Sequence, residues 1–300
     1  MERKLIKQGL GGYTIYLPKK WLDSQGLGKG GEISIEETDS SLVISSKKTN
    51  IKPETEITLK GLTETSIRTL ITNAYRKGYD KINVNYETPS QFKILEDTIH
   101  TKLIGFDIVK KEKNRCVVEN ITEPSPDQFD NILSKIFLNI SSLFEITRQR
   151  FNKKKPEENY EQIEQRIMQY DNFCRRVMSK KHIIDKKAEF FWTFLTLVVH
   201  GQREIYHLNK AMDSMKFNTS NINFIDEAEN LFNLLIDAYK EKNIEKLEKI
   251  HELEKEIIYK KFYKLIQQNK KENIIVYHLA VSVKNFYLAS SPLMGLLLGR

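Results

Sequence analysis

The pattern of hydrophobic and polar positions changes twice along the chain and divides it into three segments. Up to about residue 48, short apolar runs alternate with glycines, as in β-hairpins. The next segment alternates strand-like and helix-like runs. In the last segment apolar residues recur every three or four positions, as on one face of a helix. We therefore predict a multidomain α+β protein with domains at 1–48, 51–122 and 123–300.

The first segment predicts two β-hairpins separated by one helical turn. Pro18 would stop strand pairing, and Asp39 and Ser40 would make the turn of the second hairpin. The expected elements are strands at 4–8, 13–17, 32–36 and 42–46 and a helical turn over 19–25. A segment this short buries too little apolar surface to fold alone, so we expect it to complete its core with a second copy of itself.

The first twenty residues carry an excess of positive charge. They contain one acidic residue, Glu2, and five basic residues, which are Arg3, Lys4, Lys7, Lys19 and Lys20. A basic face attracts the phosphate backbone of DNA whatever the base sequence, and pairing of two copies would double its charge. The alternative explanation is that these lysines merely keep strand edges soluble.

The order of these elements resembles the AbrB/SpoVT family of swapped-hairpin DNA-binding domains, in which two chains interleave into one small barrel. The resemblance is carried by Arg3, Gly9, Gly12, the run Ile15-Tyr16-Leu17-Pro18-Lys19, Trp21, Leu27, Gly30, Glu32 and the strand Leu42-Val43-Ile44. It implies half a barrel in each chain, a homodimer or higher oligomer, and DNA as a partner. The four lysines would contact phosphates, and Arg3 would contact base edges.

The second segment predicts a small sheet covered on one face by helices. The expected elements are strands at 56–59, 81–85, 106–110 and 115–119 and helices at 64–77 and 90–102. Gly78 and Gly105 follow the helices, where a C-terminal cap belongs. Two phrases, Ala74-Tyr75-x-x-Gly78-Tyr79-Asp80-x-Ile82 and Leu103-Ile104-Gly105-Phe106-Asp107-Ile108-Val109, are similar to the connecting domain of archaeal PhoU-type regulators that carry an AbrB-like head.

The third segment predicts six antiparallel helices in two sets of three, at about 125–217 and 222–292. A polar break at 218–223 separates the sets, and the last helix is expected to end before Pro292. Tandem three-helix bundles resemble PhoU, the regulator of phosphate uptake. Two phrases add to that likeness, namely Tyr170-Asp171-x-x-Cys174-Arg175-Arg176 and Ala238-Tyr239-x-x-x-Asn243-x-x-Lys246-Leu247.

The metal-binding carboxylate pairs of PhoU proteins are not found in the expected register. The family places two carboxylates one helical turn apart, where they can share an ion. Here Ile167 stands four positions before Asp171, and no carboxylate pair stands at 202–207 or 282–286. We therefore expect no metal by the family's route and no cofactor.

A second metal hypothesis involves His200, Glu204 and His207. Their i, i+4 and i+7 spacing includes a Glu-x-x-His of the kind that di-iron bundles use. Helical rotation, however, places both histidines opposite the apolar stripe, so ordinary surface residues are the preferred interpretation.

Three polar residues lie on or beside the inner apolar stripes of the helices. Gln202 and Asn209 interrupt one stripe and must find hydrogen bonds if they are buried. Asp171, a fourth candidate metal ligand, lies beside another, with Arg175 or Arg203 as the expected partner.

Composition and motifs exclude several classes of protein. The net charge is +8, and the two cysteines, Cys116 and Cys174, provide neither a disulfide framework nor a thiolate zinc site. No apolar run reaches the roughly 18 residues that span a bilayer, and the N-terminus lacks the apolar core of a signal peptide, so we expect a cytoplasmic protein. Nucleophile elbow, Walker loop, zinc-protease and dinucleotide motifs are absent, which argues against an enzyme.

Together these patterns predict a dimeric DNA-binding transcriptional regulator linked to phosphate uptake. The alternative is a protein-interaction regulator whose helices dock onto a phosphate-transporter ATPase or a signalling kinase, with the barrel used only for dimerisation. An antitoxin-like role, which other AbrB-type heads have, also stays open. The long folded C-terminal region argues against it.

Overall fold

The computed structural model describes the chain in eight stretches, which are residues 3–9, 11–38, 41–46, 53–122, 124–180, 187–214, 222–268 and 273–298. Contacts divide the chain into two compact units, Met1–Pro53 and Glu54–Arg300. The predicted sheet segment and the predicted helical segment thus belong to one unit. The turn predicted at Asp39 and Ser40, and the polar break up to residue 221, lie outside the described residues.

The N-terminal unit consists of two antiparallel hairpins and one short helix. Its elements are β1 (Ile6–Gln8), β2 (Gly12–Thr14), α1 (Lys19–Ser24), β3 (Ile33–Thr38) and β4 (Ser41–Ser46). The strands pair as β1 with β2 and β3 with β4. Gly9 turns the first hairpin with a φ of 63°, a conformation that glycine adopts without strain. The first hairpin is shorter than predicted.

The second unit begins with a four-stranded sheet in the order β5-β6-β8-β7. The elements are β5 (Glu54–Thr58), α2 (Glu64–Arg76), β6 (Lys81–Asn85), α3 (Pro89–Lys102), β7 (Phe106–Lys111) and β8 (Arg115–Asn120). β5 and β6 are parallel, whereas β8 pairs antiparallel with β6 and β7. Apolar residues of α2 and α3 bury one face of the sheet. Thr63 and Thr88 cap the two helices with their hydroxyl groups.

The rest of the second unit is helical. Its elements are α4 (Phe129–Phe151), α5 (Tyr160–Lys180), α6 (Ala188–Met212), α7 (Ile222–Glu241), α8 (Glu245–Lys255), a π-helical segment (Glu256–Phe262), α9 (Tyr263–Gln268) and α10 (Asn273–Leu297). Their buried apolar residues form one continuous core, which helices from both predicted bundles share. α6 and α10 run antiparallel: Gly201 lies against Phe286, and Gly295 lies against Phe190.

Helical structure is continuous from Glu245 to Gln268, with the π-helical segment inside it. One prediction about the last helices is wrong. The last helix does not end before Pro292 but continues to Leu297, and the backbone N–H of Leu298 still donates to Met294 at 3.1 Å. Pro292 is buried between core residues, and packing there outweighs the hydrogen bond that proline cannot donate.

In the described part of the chain, no helix is both long and apolar enough to cross a membrane.

Candidate functional site

All five basic residues predicted to bind DNA are exposed on the N-terminal unit. Arg3 and Lys4 precede β1. Lys7 lies in β1 directly opposite Tyr13, so their side chains share one face of the hairpin. Lys19 and Lys20 are the first two residues of α1. None of the five has an ion-pair partner among the described residues, so their charges are available to a ligand.

The apolar side chains of the same unit are exposed or half-buried. The register of the second hairpin puts four of them on one face, namely Ile33, Ile35, Leu42 and Ile44. Ile35 is 55% and Leu42 is 64% exposed. Within the described part of the unit only Ser46 is buried. The unit therefore has an apolar surface without a core of its own to cover it.

Asp171, one of the four candidate metal ligands, binds arginines. Its carboxylate is buried and accepts hydrogen bonds from Nε of Arg175 at 2.8 Å and from Arg76 at 3.0 Å. The predicted partner Arg175 is confirmed. Arg76 belongs to α2, which covers the four-stranded sheet and with α3 and that sheet forms the sheet layer (residues 54–120), and no sequence pattern predicted its contact with Asp171.

Of the other three candidate metal ligands, one is exposed and two contact α10. His200 is exposed. The Glu204 carboxylate accepts a hydrogen bond from Nδ1 of His278 at 2.9 Å, and the ring of His207 stacks on the His278 ring with centroids 6.1 Å apart. Burial lowers the pKa of His207. Among the described residues, no group of three or more His, Cys, Asp or Glu side chains is arranged to hold a metal ion.

A buried arginine joins the sheet layer to α5. Arg176 is fully buried, and its guanidinium donates to the backbone carbonyls of Tyr75 at 2.9 Å and Tyr79 at 2.8 Å. It also pairs with Asp80 and lies 4.8 Å from the ring centres of Tyr75 and Phe106. The two carbonyls lie where α2 ends and the chain turns into β6, so Arg176 fixes that turn to the helical region.

Further polar contacts reinforce this joint. Lys180 donates to the Asp80 carboxylate at 2.7 Å. Burial opposes the charge of Asp80, but the Lys180 hydrogen bond and the Arg176 charge outweigh it and lower the pKa of this carboxyl. Asn172 accepts from Arg76 at 2.7 Å and donates to the Lys102 carbonyl at 2.8 Å. The C-terminal ends of α2 and α3 are thus both tied to α5.

Of the two polar residues in the α6 stripe, only one has partners. Asn209 is buried, and its amide donates to Thr147 at 2.7 Å and accepts from Arg150 at 2.9 Å. Gln202 is also fully buried, but neither its amide nitrogen nor its amide oxygen has a hydrogen-bond partner among the described residues. The expectation of a hydrogen bond is therefore confirmed for Asn209 and wrong for Gln202.

Replacing Gln202 with leucine is expected to raise the free energy of unfolding by about 1–3 kcal/mol. The buried amide loses its hydrogen bonds to water when the chain folds, and no hydrogen bond within the protein replaces them. Urea denaturation would measure the change. Asn209→Leu is the matched control, and it should lower stability because it removes the hydrogen bonds that the Asn209 amide makes with Thr147 and Arg150. A loss of stability in Gln202→Leu would contradict the prediction.

Comparison with known proteins identified no relative of this chain. No protein-family model, curated protein or solved structure matches the chain. The fold alone defines the class as a mixed α+β protein, with small N-terminal sheets and a large helical region.

Proposed function

We propose that this protein is a dimeric DNA-binding transcriptional regulator linked to phosphate uptake. The observation that carries the proposal is the combination, on one small unit, of an uncovered apolar hairpin face with five exposed basic residues that have no ion-pair partner among the described residues. The uncovered apolar face favours binding to a protein partner, and the basic residues favour binding to an anionic partner.

A second copy is the partner that suits the apolar face best. The hairpins are too short to bury their own apolar side chains, and two interleaved copies would bury Ile35 and Leu42 of each. Two-fold pairing also repeats the basic residues, so that a duplex would meet two equivalent sets of lysines.

The link to phosphate uptake is supported by the order of the segments. A small α+β layer and then a long helical region follow the N-terminal unit, as the resemblance to PhoU-type regulators implies. The joint through Arg176 holds that layer to the helices, so a change in the helices would reach the layer directly.

One observation favours the alternative, a protein-interaction regulator of a phosphate transporter or a kinase. Large side chains of the π-helical segment and α9 are about half exposed, namely Tyr259, Tyr263 and Ile266. Exposed aromatic residues of this kind are common in protein interfaces. In that case the N-terminal unit would serve only for dimerisation.

DNA selection with the full chain separates the two functions. Genomic fragments bound by the protein would be sequenced, and the affinity for the best fragment measured over a range of salt concentrations. The variant Lys19→Ala with Lys20→Ala should lose at least about tenfold in affinity. Its slope of log affinity against log salt should fall by up to about 4, since two lysines leave each of two protomers.

The matched control replaces two exposed lysines of the helical region, Lys249→Ala with Lys264→Ala. It should leave the DNA affinity and its salt dependence unchanged. Enrichment of fragments beside phosphate-transport genes would support the regulatory role. Weak and unselective binding, with no effect of the Lys19 and Lys20 changes, would refute DNA binding and leave the alternative.

A further inference from the structure

Two largely buried arginines share one carboxylate where α2 meets α5. The side chain of Arg175 is 5% and that of Arg76 is 24% exposed, and both donate to Asp171, which is 1% exposed. Within the described residues, neither arginine has another carboxylate at ion-pair distance. Because buried charges are normally paired with an opposite charge, this cluster has a positive charge in excess.

Both guanidinium groups are held in place, and each keeps one nitrogen free. Arg175 donates through Nη1 to Thr196 at 3.0 Å, and its guanidinium lies 4.7 Å from the ring centre of Trp192. Arg76 donates through Nε to Asn172 at 2.7 Å. Among the described residues, Nη2 of Arg175 and Nη1 of Arg76 have no hydrogen-bond partner. These two nitrogens are donors that are already oriented for a ligand.

The two guanidinium groups lie close together and are open to water. Oδ2 of Asp171 accepts from Arg76 and from Arg175, each at 3.0 Å, so the two nitrogens that donate to it are at most 6.0 Å apart. Neither of the free nitrogens is cut off from solvent. One anion with several oxygen atoms can therefore contact both groups.

A third arginine, Arg203, adds its charge to this cluster. It lies on α6 seven residues after Thr196, and therefore on the same face of that helix, the face that meets α5. Arg203 is exposed and has no ion-pair partner among the described residues. Burial lowers the pKa of Arg76, and so do the charges of Arg175 and Arg203. Asp171 offsets only part of this effect, so three arginines act with one carboxylate and leave two positive charges for a ligand.

We propose that Arg76, Arg175 and Arg203 form a binding site for a phosphate group. A phosphate group carries a charge of about −1.5 to −2 at neutral pH, which matches the excess, and its oxygens suit the donors of guanidinium groups. A carboxylate would leave about one positive charge unmatched. The site belongs to the second unit, and the inference does not rest on DNA binding by the N-terminal unit.

Calorimetric titration of the full chain with inorganic phosphate tests the site, with sodium chloride holding the ionic strength constant. Binding should saturate at one phosphate per chain. Arg203→Glu should weaken it at least about tenfold, and it should not disturb folding, because Arg203 is exposed and binds no other described residue. Lys249→Glu is the matched control. It makes the same change of net charge at an exposed position of α8 and should leave the affinity unchanged.

Adenosine 5′-monophosphate in the same titration identifies the source of the phosphate group. Tighter binding than that of inorganic phosphate would indicate a phosphorylated metabolite, and weaker binding would indicate the free ion. Both results support the site if Arg203→Glu lowers the affinity. Absence of saturable binding, or an equal loss of affinity in the Lys249→Glu chain, would overturn the inference. The Lys19→Ala, Lys20→Ala variant should bind phosphate normally, so that this site and the proposed function are tested separately.

Discussion

Replacing Arg176 with methionine is expected to lower the free energy of unfolding by about 3–5 kcal/mol, the usual effect of removing one partner from a buried ion pair. Methionine would keep much of the apolar volume but would leave the Tyr75 and Tyr79 carbonyls without their donor and Asp80 without one of its two cations. Urea denaturation followed by circular dichroism would measure the loss.

The matched control is Arg166→Met on the same helix. Arg166 also binds two polar groups, Glu158 and Asn139, but its side chain is 37% exposed. Exposed ion pairs contribute little, so this change should cost less than about 1 kcal/mol. If both variants lost the same stability, the burial of Arg176 would not be what makes its contacts strong.

The sheet layer shows what the sequence could predict. Every strand and helix between residues 54 and 120 begins and ends within two residues of its predicted bounds. The two helices there are marked twice, by their own period and by a residue at each end. The hydroxyl caps of Thr63 and Thr88 and the positive φ of Gly78 are local features that need no tertiary contact to be recognised.

The contacts between distant segments could not be predicted in the same way. Arg176 meets Asp80, and His278 meets Glu204, across separations of 96 and 74 residues. Periodicity places a residue on a face of its own helix, but it does not say which helix or loop lies opposite. The sequence around Arg176 has no pattern that identifies Asp80 or the Tyr75 and Tyr79 carbonyls as its partners, and only the packing shows that Arg176 joins the sheet layer to α5.

Pro292 shows how packing can override a local rule. Proline removes one backbone donor and disfavours the helical conformation of the residue before it, so a helix end is the ordinary prediction. In this chain Pro292, Leu293 and Leu296 are all buried, and continuing the helix keeps them in the core. The prediction failed because the sequence shows the cost of the proline and not the burial that offsets it.

The close contact between α6 and α10 depends on the absence of a side chain at Gly201. A Cβ atom there would overlap the ring of Phe286, which is fully buried and whose centre lies 5.1 Å from the centre of the Phe232 ring. The carbonyl of Gly201 also accepts a hydrogen bond from Ser282 at 2.9 Å, which holds the two helices at this distance.

Gly201→Ala is therefore expected to lower the free energy of unfolding by about 2 kcal/mol. Overpacking at this fully buried contact costs about 3 kcal/mol, and the better helix propensity of alanine offsets about 1 kcal/mol of it. Gly295→Ala is the matched control. A Cβ at Gly295 would lie 2.6 Å from Phe190, but that ring is half exposed and can turn away, so helix propensity should decide and stability should stay level or rise. Thermal and urea unfolding of both variants, at one protein concentration, would measure the difference.

Phe286→Leu should recover part of the stability lost in the Gly201→Ala chain, because it removes the ring atoms with which the new methyl group collides. Equal losses of stability in the two glycine variants would contradict this explanation.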